Sequence, residues 1–129
     1  MLGIEPEHNN VVNSAEKARR LLDELRSPSM RIILDGANLF DWAEPTAQED
    51  VLCRAGELLG SDIVLAHAKD IPDPARPSYA AGRGLLDWST YIRVLKQCGY
   101  NSPLVLHGLA EDEVPESIQF LKDRLDAVS

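Results

Sequence analysis

The chain has 129 residues, 44% of them hydrophobic and 26% charged, which is typical of one globular domain and not of a disordered chain. Its 21 acidic and 13 basic residues give a net charge of -8, which argues against binding to nucleic acid or to a membrane surface, since both require a basic surface. No apolar run approaches the ~20 residues of a membrane span, and no signal peptide is expected. The two cysteines form no CxxC pair, so we expect free thiols and a cytoplasmic protein.

Four short apolar runs occur along the chain, each too short and too apolar to have a solvated face. They cover residues 2–5, 31–35, 62–67 and 104–107. A stretch with helical spacing follows each run, which predicts an α/β fold with a (βα)4 parallel sheet and right-handed crossovers. With no linker in between, residues 1–129 are expected to form one domain. An open doubly wound sheet and half of a (βα)8 barrel both fit, because a whole barrel usually needs ~250 residues.

Local signals mark where the predicted helices begin. The first helix is predicted over residues 14–25 with Asn13 as its N-cap, and a capping box at residues 46–49 begins the second. Asp87 is the expected N-cap of the third helix, and Pro115 suits the first turn of the fourth.

Each apolar run ends on a residue that an apolar core would not select. These residues are Glu5, Asp35, His67 and His107. Because alternate residues of a strand share a face, all four are expected on one side of the sheet at its carboxyl edge, where parallel α/β proteins bind ligands. Any one of them alone would more often be a cap or a hydrogen-bonded structural residue. Two carboxylates and two imidazoles in phase favour a site for a divalent metal such as Mn²⁺, Co²⁺, Zn²⁺ or Fe²⁺.

Further polar side chains follow these strand ends. The candidates for substrate binding are His8, Asn38, Asp70, Arg83 and Glu111. Lys69 shares the parity of His67 and is a candidate general base or hydrogen-bond donor, although a structural salt bridge is equally consistent. The loop over residues 71–86 is long enough to cover a ligand, and its arginines would meet an anionic group such as phosphate unless they are simply solvated. No GxGxxG, GxxxxGK[ST] or GxSxG motif occurs, so dinucleotide-binding, P-loop and serine hydrolase functions lack support.

The order of these motifs resembles the xylose isomerase-like superfamily, the sugar phosphate isomerase/epimerase group that also includes endonuclease IV-type enzymes. Residues 3–7 are similar to the fifth barrel strand with its metal-binding glutamate, and residues 33–38 to the sixth, where an Asp is followed three residues later by His or Asn. Residues 66–70 resemble the H-x-K-D segment of the seventh strand. Residues 82–88 and 95–100 resemble the family's G-x-G-x-[ILV]-[DN]-[WF] and L-x-x-x-G-Y stretches.

The resemblance implies the second half of a TIM barrel, strands 5 to 8, with Glu5, Asp35 and His67 as metal ligands. It implies a divalent metal (Mn, Co, Zn, Mg or Fe) and isomerisation, epimerisation or dehydration of a small polyhydroxy carbonyl compound. The metal polarises the carbonyl and a carboxylate moves the proton. Glu5 is the leading candidate for that acid or base, and Lys69 is the next.

Two features depart from the family pattern. The last strand ends in His107, where many epimerases of this group have a glutamate that is both ligand and base, and Glu111 lies too far into the loop to be assumed a substitute. This favours a one-base isomerase, a dehydratase or an altered metal site. The first four βα units have no counterpart, so a homodimer or a separate amino-terminal half is expected to close the barrel. A non-catalytic half-barrel and an endonuclease IV-like phosphodiesterase are the alternatives, and the acidic composition counts against the second.

Overall fold

The computed structural model describes residues 1–128. Its strands are β1 (Leu2–Ile4), β2 (Met30–Asp35), β3 (Ile63–Ala68) and β4 (Leu104–Leu106). Its helices are α1 (Ala15–Leu25), α2 (Gln48–Leu59), α3 (Trp88–Gln97) and α4 (Val114–Ala127). Short 3-10 turns lie at Ala37–Leu39, Gly60–Asp62 and Glu111–Glu113. Within the described residues, no helix combines the length and apolarity that crossing a membrane requires.

The four strands form one sheet in the order β1-β2-β3-β4, and each neighbouring pair is parallel. The predicted (βα)4 arrangement is therefore confirmed. Consecutive helices pack on one another, α1 on α2, α2 on α3 and α3 on α4, which places them in one layer. A doubly wound sheet reverses its strand order at a switch point, whereas a barrel keeps the chain order. The observed order is that of four consecutive barrel strands.

The core lies between the sheet and this helix layer. The strand residues that face the helices are almost completely buried, as Ile32 and Leu34 show. On the opposite face, Ile33 and Leu65 are half-buried and Val105 is 39% exposed. The sheet therefore has one covered face and one open face. The open face corresponds to the inside of a barrel, and it carries the ends of the strands that the sequence singles out.

Two predicted helix caps have different outcomes. Helix α1 begins one residue later than expected, because the Ser14 side chain, and not that of Asn13, accepts the hydrogen bond from the Lys17 backbone N–H at 3.2 Å. Helix α3 is capped as predicted, since the Asp87 carboxylate accepts from the Thr90 backbone N–H at 3.0 Å.

The capping box expected at residues 46–49 is wrong. Ala47 occupies the N-cap position of α2 with φ 52°, and no side chain caps this helix. The first helical residue, Gln48, joins the helix to the long loop instead. Its amide donates to the Leu85 carbonyl oxygen at 2.8 Å and accepts from the Asp87 backbone N–H at 2.7 Å. A tertiary contact has thus replaced the local cap that the sequence pattern predicts.

Candidate metal centre

Glu5, Asp35 and His67 meet at the carboxyl ends of β1, β2 and β3. His67 Nδ1 lies 3.4 Å from Glu5 Oε1 and 3.5 Å from Asp35 Oδ2. The register explains this proximity, because Asp35 pairs directly with His67 across the sheet and the two side chains share its open face. The structure therefore brings two carboxylates and an imidazole from three strands to one point.

Two buried atoms at this point have no hydrogen-bond partner among the described residues. They are Asp35 Oδ2 and His67 Nδ1. The other oxygen of Asp35 accepts from the backbone N–H groups of Ala37 at 3.0 Å and Asn38 at 3.3 Å, and the residue is 0% exposed. Unpaired buried polar atoms are rare because they are costly. A carboxylate oxygen and an imidazole nitrogen facing each other are ligands that a divalent transition metal accepts, so these residues fit such a cation.

His107 approaches the same point from the end of β4. Its ring stacks on that of His67, with the centroids 4.8 Å apart and the planes within 5° of parallel. One ligand atom each from Asp35, His67 and His107 lie within 4.8 Å of one another. Of the three residues, Asp35 is buried, His67 is half-buried and His107 is exposed. All four polar residues at the strand ends thus border one site.

Asn38 connects Lys69 to Glu5. Lys69 Nζ donates to Asn38 Oδ1 at 2.5 Å, and Asn38 Nδ2 donates to Glu5 Oε1 at 2.8 Å. An ammonium only donates and a carboxylate only accepts, so the orientation of the amide is fixed. Lys69 Nζ also lies 3.4 Å from Asp35 Oδ2. The lysine is buried. It contacts the Asp35 carboxylate directly and reaches the Glu5 carboxylate through Asn38.

Trp42, which the sequence analysis did not single out, covers Lys69. The ammonium lies 5.2 Å from the centroid of its ring, within the range of a cation–π contact. The indole N–H donates to the Ala37 carbonyl oxygen at 2.8 Å, and the Tyr79 ring lies 5.3 Å away with a tilt of 50°. The available signal was weak, because the loop between β2 and α2 holds a second aromatic residue, Phe40, which is buried in the core.

Tyr91 supports the site from within the core. It lies on the inward face of α3 and is completely buried there. Its hydroxyl lies 3.0 Å from the carbonyl oxygens of both Leu34 and His67. One hydroxyl therefore connects the ends of β2 and β3, which fixes the spacing of Asp35 and His67.

The side chains of three predicted substrate-binding residues lie outside the cluster around Asp35. His8 is exposed, and its backbone N–H donates to the Asn38 carbonyl oxygen at 2.7 Å. The Arg83 guanidinium pairs with Glu113 at 3.2 Å and also with Glu116, so two carboxylates balance its charge. Glu111 is exposed in the 3-10 turn before α4. None of the three belongs to the group of side chains around Asp35.

Asp70 lies at the centre of the loop that follows β3. Its carboxylate is fully buried and accepts from the backbone N–H groups of Ile71, Gly82 and Leu86, each at 2.9 Å, and from the Trp88 indole at 2.8 Å. Both oxygens are thus engaged by the chain itself. The contacts assign Asp70 to loop architecture, whereas the sequence analysis expected it to contact substrate.

The buried Asp35 predicts a pH dependence of stability. Burial raises the pKa of the Asp35 carboxyl and the Glu5 charge adds to the rise, while Lys69 and His67 act in the opposite direction. A carboxyl whose folded-state pKa is raised stabilises the fold most below its unfolded-state pKa of about 3.9, and this contribution is lost as pH rises through the folded-state pKa. We expect the unfolding free energy of the chelator-treated protein, relative to Asp35→Asn, to fall as pH increases from about 4 through the raised pKa of Asp35. Urea unfolding measures this difference, and a value independent of pH would contradict it.

Solved structures share this fold. The xylose isomerase domain protein from Planctomyces limnophilus has a TM-score of 0.69 and 18% identity, and the match covers 98% of this chain and 45% of that one. A D-tagatose 3-epimerase-like protein has a TM-score of 0.72 and 19% identity, over 98% of this chain and 47% of the other. The D-allulose 3-epimerase from Methylomonas sp. has a TM-score of 0.68 and 19% identity, covering 95% and 48%.

The chain spans about half the length of these solved structures. No curated protein matches its sequence. The sequence model of the xylose isomerase-like TIM barrel matches residues 1–124. That match covers the four strands, the first three helices and most of α4, and it includes all four polar strand ends. The chain therefore belongs to the xylose isomerase-like TIM barrel family.

Proposed function

We propose that this chain supplies the metal-binding half of a sugar isomerase or epimerase that moves a proton on a small polyhydroxy carbonyl compound. The main support is a pair of buried atoms without a hydrogen-bond partner in the described part of the chain, Asp35 Oδ2 and His67 Nδ1, which lie 3.5 Å apart beside the Glu5 carboxylate. The family membership and the names of the similar structures, two of which are 3-epimerases or 3-epimerase-like, support a ketose or related substrate.

Asp35 and His67 would hold the divalent cation. When bound, such a metal polarises a carbonyl oxygen and its neighbouring hydroxyl and so acidifies the C–H between them. We assign the removal of that proton to Glu5. In support of this, Asn38 donates to its Oε1, and Oε2 would face the substrate. Lys69 donates to Asn38 and lies beside Asp35, so in this proposal it orients the two carboxylates instead of acting as the base.

The pocket also needs another wall, which we assign to four more βα units. The open face of the sheet and the outer edges of β1 and β4 support this, since a strand edge with unpaired backbone groups is normally covered. Leu2 on the first edge is 62% exposed and Val105 on the last is 39% exposed. A second copy of the chain or a separate amino-terminal half would close the barrel.

Sedimentation velocity tests this assignment. We expect the chain to dimerise as its concentration rises, or to bind an added amino-terminal half-barrel in a one-to-one complex. A folded monomer at all concentrations that ignores the added half would contradict it.

The activity is tested by hydrogen exchange in the assembled protein. Ketoses such as D-tagatose and D-fructose are incubated in deuterated buffer, and NMR follows the loss of the C–H signal next to the carbonyl. We expect exchange with Mn²⁺ or Co²⁺, its loss on chelation and its return when the metal is restored. Exchange that survives chelation would contradict the proposal. Metal binding without exchange on any ketose would favour the non-catalytic half-barrel.

The phosphodiesterase alternative has less support. Glu113 and Glu116 balance the charge of Arg83, so this arginine is not free to bind a phosphate.

We place the activity in the cytoplasm, because Cys53 and Cys98 are both free thiols in the structure.

A further inference from the structure

We infer that the Glu113 carboxylate fills a phosphate-binding position of this fold, so that the protein takes an unphosphorylated sugar. Many TIM barrels bind the phosphate group of a substrate with the loops that follow their seventh and eighth strands. Strands β3 and β4 correspond to those two strands, and Glu113 ends the short turn that follows β4. The inference deepens the proposed function, and its statement about the substrate rests on that function.

Three hydrogen-bond donors converge on the Glu113 carboxylate. Its Oε1 accepts from the Ser78 hydroxyl at 2.8 Å and from Arg83 Nη1 at 3.2 Å. Its Oε2 accepts from the Ala110 backbone N–H at 2.9 Å. A hydroxyl, a guanidinium and a backbone N–H are the groups with which proteins commonly bind phosphate oxygens. A carboxylate of the chain therefore uses the donors that a phosphate group would use.

The surrounding chain fixes these donors in place. The Ser78 hydroxyl accepts from the Ala80 backbone N–H at 3.1 Å, so its single proton is left for Glu113. The Ala110 backbone N–H, and to a lesser extent the Ser78 hydroxyl, lower the pKa of the Glu113 carboxyl. Glu113 is therefore a charged acceptor at neutral pH, held between the loop that follows β3 and the turn that follows β4.

The charges around this position also disfavour a phosphate. A cavity of about 520 Å³ lies between the loop and the turn, and its charged lining residues are Arg76, Arg83, Glu113 and Glu116. The two positive and two negative charges cancel, and the Arg83 guanidinium already pairs with both glutamates. A phosphate would have to displace Glu113 and approach a second carboxylate, which raises the electrostatic energy. A neutral hydroxyl group does not meet this repulsion.

Removing the carboxylates should open the position to phosphate. The test variant is Glu113→Ala/Glu116→Gln, which keeps the Ser78 hydroxyl, the Ala110 backbone N–H and Arg83. Isothermal titration calorimetry measures the binding of inorganic phosphate to the chelator-treated chain, because a cation at the strand ends would itself bind phosphate. We expect the variant to bind phosphate about tenfold or more tightly than the wild type, the change that one charge-assisted hydrogen bond gives.

Three further variants make this result specific. Glu111→Ala/Asp112→Asn is the matched control, because it removes two negative charges from exposed positions of the same turn. Its phosphate affinity should equal that of the wild type. Adding Arg83→Gln to the test variant should abolish the gain. Glu113→Gln/Glu116→Gln keeps the shape of both side chains and should also bind phosphate more tightly than the wild type, which decides the matter if circular dichroism shows that the alanine variant is unfolded.

The substrate class is tested in the assembled protein with D-fructose and D-fructose 6-phosphate. We expect the wild type to exchange the C–H next to the carbonyl of D-fructose faster than that of the phosphate at equal concentrations. The test variant should shift the ratio of these rates toward the phosphate by about tenfold or more.

Each contrary result has a defined meaning. The inference is overturned if the folded test variant gains no phosphate affinity, or if the matched control gains as much. A wild type that prefers D-fructose 6-phosphate also overturns it, while the proposed function stands. If neither ketose exchanges but the test variant binds phosphate as expected, the proposed function fails and the assignment of Glu113 to a phosphate-binding position stands.

Discussion

Replacing Glu5 with Gln is expected to slow exchange of the substrate C–H with deuterated solvent by about 10²- to 10⁴-fold, the usual contribution of a positioned general base. Glutamine has nearly the same shape, and its carbonyl oxygen can still accept the hydrogen bond that Asn38 donates to Glu5 Oε1 at 2.8 Å. What the variant loses is the negative oxygen that takes the proton. The fold should therefore change little.

Glu7→Gln is the matched control for this result. Glu7 is two residues further along the chain, and its carboxylate accepts a hydrogen bond from Asn10 at 3.1 Å. We expect this variant to exchange at the wild-type rate. NMR of the substrate in deuterated buffer measures the exchange rate of both variants in the assembled protein. Exchange at the wild-type rate in Glu5→Gln would show that another group moves the proton.

Replacing Asp70 with Ala is expected to give the largest loss of stability, at least about 3 kcal/mol of unfolding free energy. Three backbone N–H groups and the Trp88 indole N–H donate to this buried carboxylate. Each buried donor left without a partner costs about 1–3 kcal/mol. The loop over residues 71–86 should lose its order first, because these hydrogen bonds fix it against the start of α3.

Urea unfolding of the metal-free chain measures this loss. The control is Asp126→Ala, which removes an exposed carboxylate near the end of α4 and should change the unfolding free energy by less than about 0.5 kcal/mol. If Asp70→Ala were as stable as this control, the structural role of Asp70 would be wrong. The substrate-binding role that the sequence analysis gave it would then deserve a new test.

The close packing of the loop over residues 71–86 also explains why positions 82 and 84 are glycines. Gly82 adopts φ +93°, a left-handed conformation that favours glycine, and a Cβ there would lie 2.6 Å from the Phe120 ring. A Cβ at Gly84 would collide with the Ile71 carbonyl oxygen and the Asp70 carboxylate. The spacing of these glycines therefore follows from how closely the loop wraps around Asp70.

The sequence predicted the fold well because the pattern of apolar runs and helical stretches is strictly local. It left two architectures open, since the alternation of strands and helices is the same in an open sheet and in a barrel. Strand order separates them, and order depends on which strands pair. The polar strand ends were predictable for a related reason, because strand parity puts Glu5, Asp35 and His67 on one face in any parallel register that aligns the strand ends.

Contacts between loops were not predictable in this way. Asn38 reaches both Lys69 and Glu5 because the chain turns back in a short 3-10 segment after β2, and no local pattern fixes that path. Trp42 lies in a loop whose path sets its distance from Lys69. Asp70 has the same sequence neighbours whether it faces the substrate or the protein. Only the fold of the loop decides between these roles.

Anomalous X-ray diffraction from crystals soaked in Zn²⁺, measured at the zinc absorption edge, tests the central claim most directly. The account predicts one strong peak at the carboxyl ends of the strands, about 2.0–2.2 Å from an Asp35 oxygen and about 2.0–2.1 Å from a His67 nitrogen. The peak should disappear in Asp35→Asn crystals treated in the same way. A zinc peak elsewhere, or none at the strand ends at saturating Zn²⁺, would contradict the assignment of this site as a metal centre.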